Sequence, residues 1–184
     1  MKNIIKAAAV AFAVLIALAP AAGAYYSYKT YTYDINGDYM ESPDAYVPSE
    51  TVDSESMGIS PALENPTDIF VDDKQNVYIA DAGNNRIVVL NKRFKLRYYI
   101  EKFTNSQGIP DTFNNPQGVF VTETNIYVCD TDNNRIVVFD RDARFVRVVE
   151  KPVADEISVD DLYRPKAVAV DRSGRMYVVS ASTY

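Results

Sequence analysis

The chain of 184 residues has no histidine, no tryptophan and a single cysteine, Cys129. Without histidine it cannot assemble a Ser-His-Asp or Cys-His couple or an imidazole-ligated metal, and one cysteine forms no disulfide within the chain. It also lacks an excess of basic residues: 19 Lys and Arg stand against 25 Asp and Glu, a net charge of −6. No basic stripe is available to neutralise phosphates, so nucleic acid is not an expected partner.

What is there begins with an apolar stretch. Lys2 and Lys6 precede a run from Ala7 to Ala19, Pro20 interrupts it, and Ala22-Gly23-Ala24 forms a small-x-small site. Residues 1–24 therefore read as a signal peptide cleaved before Tyr25. A retained membrane-spanning helix is the competing reading, since residues 7–24 carry no charge. No cysteine lies near the site for lipid attachment. The expected location is secreted or extracytoplasmic, of a bacterial type that dispenses with disulfides, or membrane-anchored and facing outward.

Residues 25–65 form an acidic, tyrosine-rich leader and linker, with Lys29 against eight acids. Residues 66–184 are nearly neutral, with 16 bases and 17 acids. Half of the 14 tyrosines lie at Tyr25, Tyr26, Tyr28, Tyr31, Tyr33, Tyr39 and Tyr46. The residues Lys29 to Ile35 suit a strand. Asn36-Gly37 is a two-residue hairpin signal in which both positions favour positive φ, and residues 38–41 return. Asp34, Asn36 and Asp38 are spaced like the first ligands of a calcium loop, but Tyr39 replaces its glycine and Ala45 its bidentate acid, so the turn is preferred. Residues 47–65, with Pro48, Pro61 and several serines, read as an extended connection.

The remainder repeats. PTDIFVDDKQNVYIADAGNNRIVVLN begins at Pro66, PQGVFVTETNIYVCDTDNNRIVVFD at Pro116, and PKAVAVDRSGRMYVVS at Pro165. Each unit divides into short strands. Residues 68–72 alternate, 77–80 form a second strand, the apolar run 87–90 a third, and Phe94 to Ile100 an outer charged strand. Four strands in a unit of about 50 residues make a β-propeller blade. The fold expected is all-β, with repeats at 66–115 and 116–164 and the start of a third at 165–184.

The pattern of Pro, apolar-x-Val-Asp, turn, apolar-Tyr-apolar-x-Asp and Asn-Asn-Arg-Ile-x-Val resembles the NHL repeat, of a secreted bacterial type. In the third copy Ser180 stands where Asp81 and Asp130 stand. The resemblance implies a six-bladed toroid with a central channel. Closing it takes about 300 residues beyond the leader, so the sequence reads as the N-terminal part of a longer protein.

The signature residues Asp81, Asn84, Asn85 and Arg86 recur as Asp130, Asn133, Asn134 and Arg135. Asp and Asn reverse a chain readily because their side chains bond nearby N–H groups and they tolerate left-handed φ. Gly83 is expected to supply the same freedom, with Asp132 in its place in the second copy. The arginines are expected to bridge carboxylates or carbonyls. Recurrence marks all eight as structural rather than catalytic, and no catalytic, cofactor-binding or metal-binding residue is assigned.

Cys129 takes the place of Ala80 and reads as a small buried hydrophobe. The acid pairs Asp72/Asp73, Asp155/Glu156 and Asp160/Asp161 read as solvated loop charges. Lys92, Arg93, Lys95 and Arg97, with Arg141, Arg144 and Arg147, read as charges protecting a sheet edge.

The function expected is a non-catalytic binding or scaffolding module for a protein, peptide or glycan, without a cofactor and touching membrane only through the signal segment or a later anchor. The alternative is a sugar-lactone hydrolase resembling gluconolactonases, with a metal site formed by blades beyond this stretch. A third reading, an extracytoplasmic sensor tethered by a later helix, stays open.

Overall fold

The computed structural model describes residues 30–42, 51–153 and 163–181. The signal segment, Asp155/Glu156, Asp160/Asp161 and the leader tyrosines Tyr25, Tyr26, Tyr28 and Tyr46 lie outside them. The chain divides into two compact units, Met1–Thr51 and Val52–Tyr184.

In the first unit β1 (Thr30–Tyr33) pairs antiparallel with β2 (Tyr39–Ser42), Tyr33 opposite Tyr39. The rings of Tyr31 and Tyr39 stack at 4.4 Å. The connection differs from the two-residue turn expected at Asn36-Gly37. It spans residues 34–38, and of its residues only Gly37 has positive φ, at 83°. The Asp34 carboxylate explains the longer loop: one of its oxygens accepts the N–H groups of Asn36 and Asp38, each at 2.8 Å. These N–H bonds hold that carboxyl below its ordinary range, the Asp38 bond contributing most.

The second unit contains two four-stranded meanders and, after them, a two-stranded hairpin. The first comprises β3 (Pro66–Val71), β4 (Val77–Asp81), β5 (Arg86–Leu90) and β6 (Leu96–Ile100), hydrogen-bonded in that order. A small hairpin follows, β7 (Lys102–Thr104) with β8 (Pro110–Thr112), in a stretch where the sequence pattern suggested no strand. The second meander is β9 (Pro116–Val121), β10 (Asn125–Asp130), β11 (Arg135–Asp140) and β12 (Phe145–Val149). The hairpin at the third repeat, blade 3, pairs β13 (Pro165–Val170) with β14 (Met176–Ser180). Four antiparallel strands in simple order, repeated with the first strands of successive sheets side by side, are propeller blades.

One turn design recurs at residues 34–38, 72–76, 91–95, 105–109, 140–144 and 171–175. An Asp or Asn at its first position accepts the N–H groups of the third and fifth residues. The fourth residue has positive φ and is glycine at 37, 108 and 174, but Gln75, Phe94 and Ala143 elsewhere. Phe94 is therefore a turn residue at φ 55°, not the start of the outer strand, and Lys92, Arg93 and Lys95 belong to that turn. The second blade's first turn is one residue shorter, with Thr122 Oγ1 accepting the N–H of Asn125 at 3.0 Å. That shortening is why Asp81 recurs after 49 residues although Pro66 recurs after 50.

Alternation across each sheet generates the core, because residues two apart share a face. One face of blade 1 presents Tyr78, Ala80, Ile87 and Val89 to Val119, Val121, Ile126, Val128, Val137 and Phe139 of blade 2. The hairpin β7–β8 and its exit place Phe103 and Phe113 against the same cluster. The other face of blade 2, with Tyr127, Cys129, Ile136 and Val138, packs on Val168, Val170 and Val178 of blade 3. Strands with apolar residues on both faces fit a sheet covered on both sides.

Candidate functional site

The repeat signature forms a clasp between each blade and the segment that enters it. In blade 1, Asp81 Oδ1 accepts the N–H of Glu64 at 2.7 Å, while Oδ2 accepts Asn84 Nδ2 at 3.0 Å and Arg86 Nε at 2.7 Å. Arg86 also donates to the carbonyls of Ser60 and Pro61, and its guanidinium lies 4.4 Å from the centre of the Tyr99 ring. Asn84 donates to the Ala62 carbonyl at 2.8 Å. Asn85 takes the left-handed conformation at φ 52°, and its side-chain oxygen accepts the N–H of Asn115 at the entrance to blade 2.

Blade 2 repeats the arrangement. Asp130 receives the N–H of Asn114, Asn133 Nδ2 and Arg135 Nε, and Asn134 stands at φ 56°. Burial pushes the Asp130 carboxyl upward, against these three bonds. Arg135 reaches outward as well, gripping both oxygens of Asp111 at 2.8 and 2.9 Å. Those bonds raise the arginine and hold Asp111 below its ordinary range.

In the third copy, Ser180 Oγ accepts the N–H of Arg164 at 2.9 Å. Serine thus keeps a bond to the entering segment. Having no charge, it cannot hold a guanidinium as Asp81 and Asp130 do.

Gly83 serves a different purpose from the one its composition suggested. It is Asn85, not Gly83, that bears the positive φ. Gly83 donates to the Glu64 carbonyl at 2.9 Å, and a Cβ there would sit 2.6 Å from Glu64 Cγ. In blade 2 the equivalent Asp132 donates to Asn114 at 3.2 Å, a longer approach alongside its side chain.

Asp72 departs from the reading of acid pairs as solvated charges. It is buried, and it accepts from the N–H groups of Lys74 and Asn76, from Asn76 Nδ2 and from the Tyr78 hydroxyl. Arg141 of blade 2 completes the group with an ion pair to Asp72 across the blade boundary. Burial alone would raise this carboxyl, but the Asn76 bonds and Arg141 outweigh it and hold it low. Arg141 is therefore an inter-blade tie rather than a sheet-edge guard, whereas Arg97 donates to Asn76 within blade 1 at 3.1 Å. Asp73 is exposed.

Cys129 is fully buried in the interface between blades 2 and 3, and burial pushes its thiol up to about 12. Among the described residues no three or more acids and cysteines gather in a way that would hold a metal ion, and no helix is long and apolar enough to cross a membrane.

The equivalent first turns of the three blades come together around a groove of about 710 Å³. Val71, Val121 and Val170, the last residues of β3, β9 and β13, line it with Phe70, Phe120 and Tyr127. Phe70 and Phe120 meet edge to face at 5.0 Å. Asp73, Glu123, Thr124 and Arg172 form an exposed polar rim. No part of the sequence pattern singled out this groove, because its lining is ordinary strand and turn residues. A second depression, of about 420 Å³, lies between the β7–β8 hairpin and β12, lined by Gln107, Arg135 and Arg147 among others.

Successive four-stranded blades, each clasped by an Asp-Arg pair to the segment that enters it, define a β-propeller architecture. The sequence model of the NHL repeat matches residues 63–90 and 113–139, so the chain carries two NHL repeats. No curated protein matches it in sequence. Among solved structures it is similar to a streptogramin B lyase at 14% identity and a TM-score of 0.42, with 85% of this chain and 42% of that one covered. It is also similar to Kuenenia stuttgartiensis hydrazine synthase at 15% identity and a TM-score of 0.48, with 74% and 33% covered. A third similar structure is virginiamycin B lyase from Staphylococcus aureus at 13% identity and a TM-score of 0.40, with 85% and 43% covered. The chain spans less than half the length of each of these structures.

Proposed function

We propose that the protein is a secreted, non-catalytic binding or scaffolding module that recognises a protein, peptide or glycan. The observation that carries this reading is the division of labour among its polar residues. The conspicuous recurrent ones, Asp81, Arg86, Asp130 and Arg135, are spent on bonds to the chain's own backbone and carboxylates. The groove at the first turns combines an apolar floor with an open polar rim, the form of a recognition surface. The signal-like segment at residues 1–24 supports an extracytoplasmic setting.

The test is binding of the purified full chain to glycan and peptide arrays. Glu123→Lys and Arg172→Glu at the rim are expected to abolish retained spots, while Glu150→Lys at the second depression leaves them intact. Hydrolysis of a sugar lactone that a chelator stops would overturn the reading in favour of an enzyme.

A further inference from the structure

The groove at the first turns carries charges that the rest of the chain does not use. Among the described residues, Asp73, Glu123 and Arg172 make no side-chain hydrogen bond or ion pair, although all three line it. Their neighbours are committed. Asp72, beside Asp73, is paired with Arg141, and Asp171, beside Arg172, accepts the N–H groups of Ser173 and Arg175, each at 2.9 Å. Lys74 and Arg175, in the same turns, do not line the groove.

The free charges are sorted by blade. The two carboxylates stand on the first turns of blades 1 and 2, and the guanidinium stands on that of blade 3. Arg141 fixes the acidic side. It bonds Asp72 and donates to the Thr122 carbonyl at 2.8 Å, and these two residues directly precede Asp73 and Glu123. One arginine thereby sets the two acid-bearing turns against each other. The floor inside this rim is apolar, with Phe70, Val71, Phe120 and Val121.

Each class of ligand meets these charges differently. A neutral glycan would cover them without matching them, and a desolvated charge that gains no partner is costly. An anionic ligand would face two carboxylates for one guanidinium. A peptide with free ends brings an ammonium for the acids, a carboxylate for the planar fork of the arginine, and apolar side chains for the floor. The groove, at about 710 Å³, falls within the range of about 300–1,000 Å³ common to small-ligand sites.

Resting on the reading of this groove as the binding site, we infer that its ligand is a short apolar peptide with both ends free, the ammonium held by Asp73 and Glu123 and the carboxylate by Arg172.

The test is isothermal titration calorimetry of the full chain with the tripeptide Leu-Phe-Leu and with its N-acetylated and C-amidated forms. Loss of one charge-assisted contact weakens binding about tenfold or more, so each blocked form is expected to bind at least that much less tightly than the free peptide. Glu123→Gln is expected to weaken the free and C-amidated forms and leave the N-acetylated form unchanged. Arg172→Gln is expected to weaken the free and N-acetylated forms and leave the C-amidated form unchanged. A free peptide that does not bind, or that binds no better than either blocked form, overturns the inference, as do variants that weaken all three forms alike. Array spots that depend on Glu123 and Arg172 would in that case leave the binding-module reading standing, whereas their absence would remove both.

Discussion

Arg86 Nε lies 2.7 Å from the Asp81 carboxylate five residues earlier, with both side chains buried. Arg135 and Asp130 repeat the pair at 2.8 Å, but that arginine is 17% exposed. Removing one member of a buried pair strands the other charge, at a cost of about 3–5 kcal/mol. Arg86→Met is expected to lose stability on that scale in urea unfolding. Arg135→Met is expected to lose less, because solvent reaches its site. Equal losses would show that burial does not set the difference.

Acid is expected to weaken the fold through two carboxylates. Arg135 chiefly holds Asp111 below the ordinary 3.8, and Asn76 and Arg141 overcome burial to do the same for Asp72. A depressed folded value contributes stability in full above 3.8 and loses it as pH falls through the lower folded value. Denaturant midpoints measured from pH 5 down to about pH 2 should therefore fall less steeply in Asp72→Asn combined with Asp111→Asn than in the unaltered chain.

Gly118 is required by close approach rather than by a turn. A Cβ there would collide with the Lys166 carbonyl on β13 and come within 3.2 Å of Cys129 Sγ. Gly118→Ala is expected to destabilise the chain by about 1–3 kcal/mol, the usual cost of overpacking. Hydrogen exchange should show the loss concentrated at the interface between blades 2 and 3.

Gln75 offers the opposite experiment. Its side chain is exposed, yet its φ is 61°, a conformation that costs a side-chain-bearing residue about 1–2 kcal/mol. Gln75→Gly is expected to raise the unfolding midpoint, since glycine at the fourth turn position carries no such strain. A lower midpoint would mean that backbone entropy outweighs strain at this turn.

The Cys129 thiol, raised to about 12 by burial, is expected to resist alkylation in the native chain near neutral pH. It should react once denaturant opens the interface between blades 2 and 3. Rapid labelling without denaturant would contradict that burial.

Much of this architecture was legible in the residues. Period-two alternation and the recurrence of Asp-x-x-Asn-Asn-Arg marked the blades, because sheet faces and tight reversals constrain residue type locally. The recurring Asp/Asn turn was also readable in principle, but its signal is obscured at Gln75, Phe94 and Ala143, where φ is positive without glycine. Other features were missed because their causes are distant in sequence. Asp72 looks like a loop acid until Arg141, 69 residues away, is brought against it. Gly83 looks like a turn residue until Glu64 is seen to occupy the space beside it.

The sequence by itself determined the strands, their order within each blade and the residues that close the turns, since hydrogen-bond satisfaction and alternation act over a few neighbours. Only the tertiary structure decided which face of each blade meets the next and where the three first turns open into a groove. Those outcomes depend on apolar surfaces from separate repeats meeting at contact distance, and no local pattern carries that information.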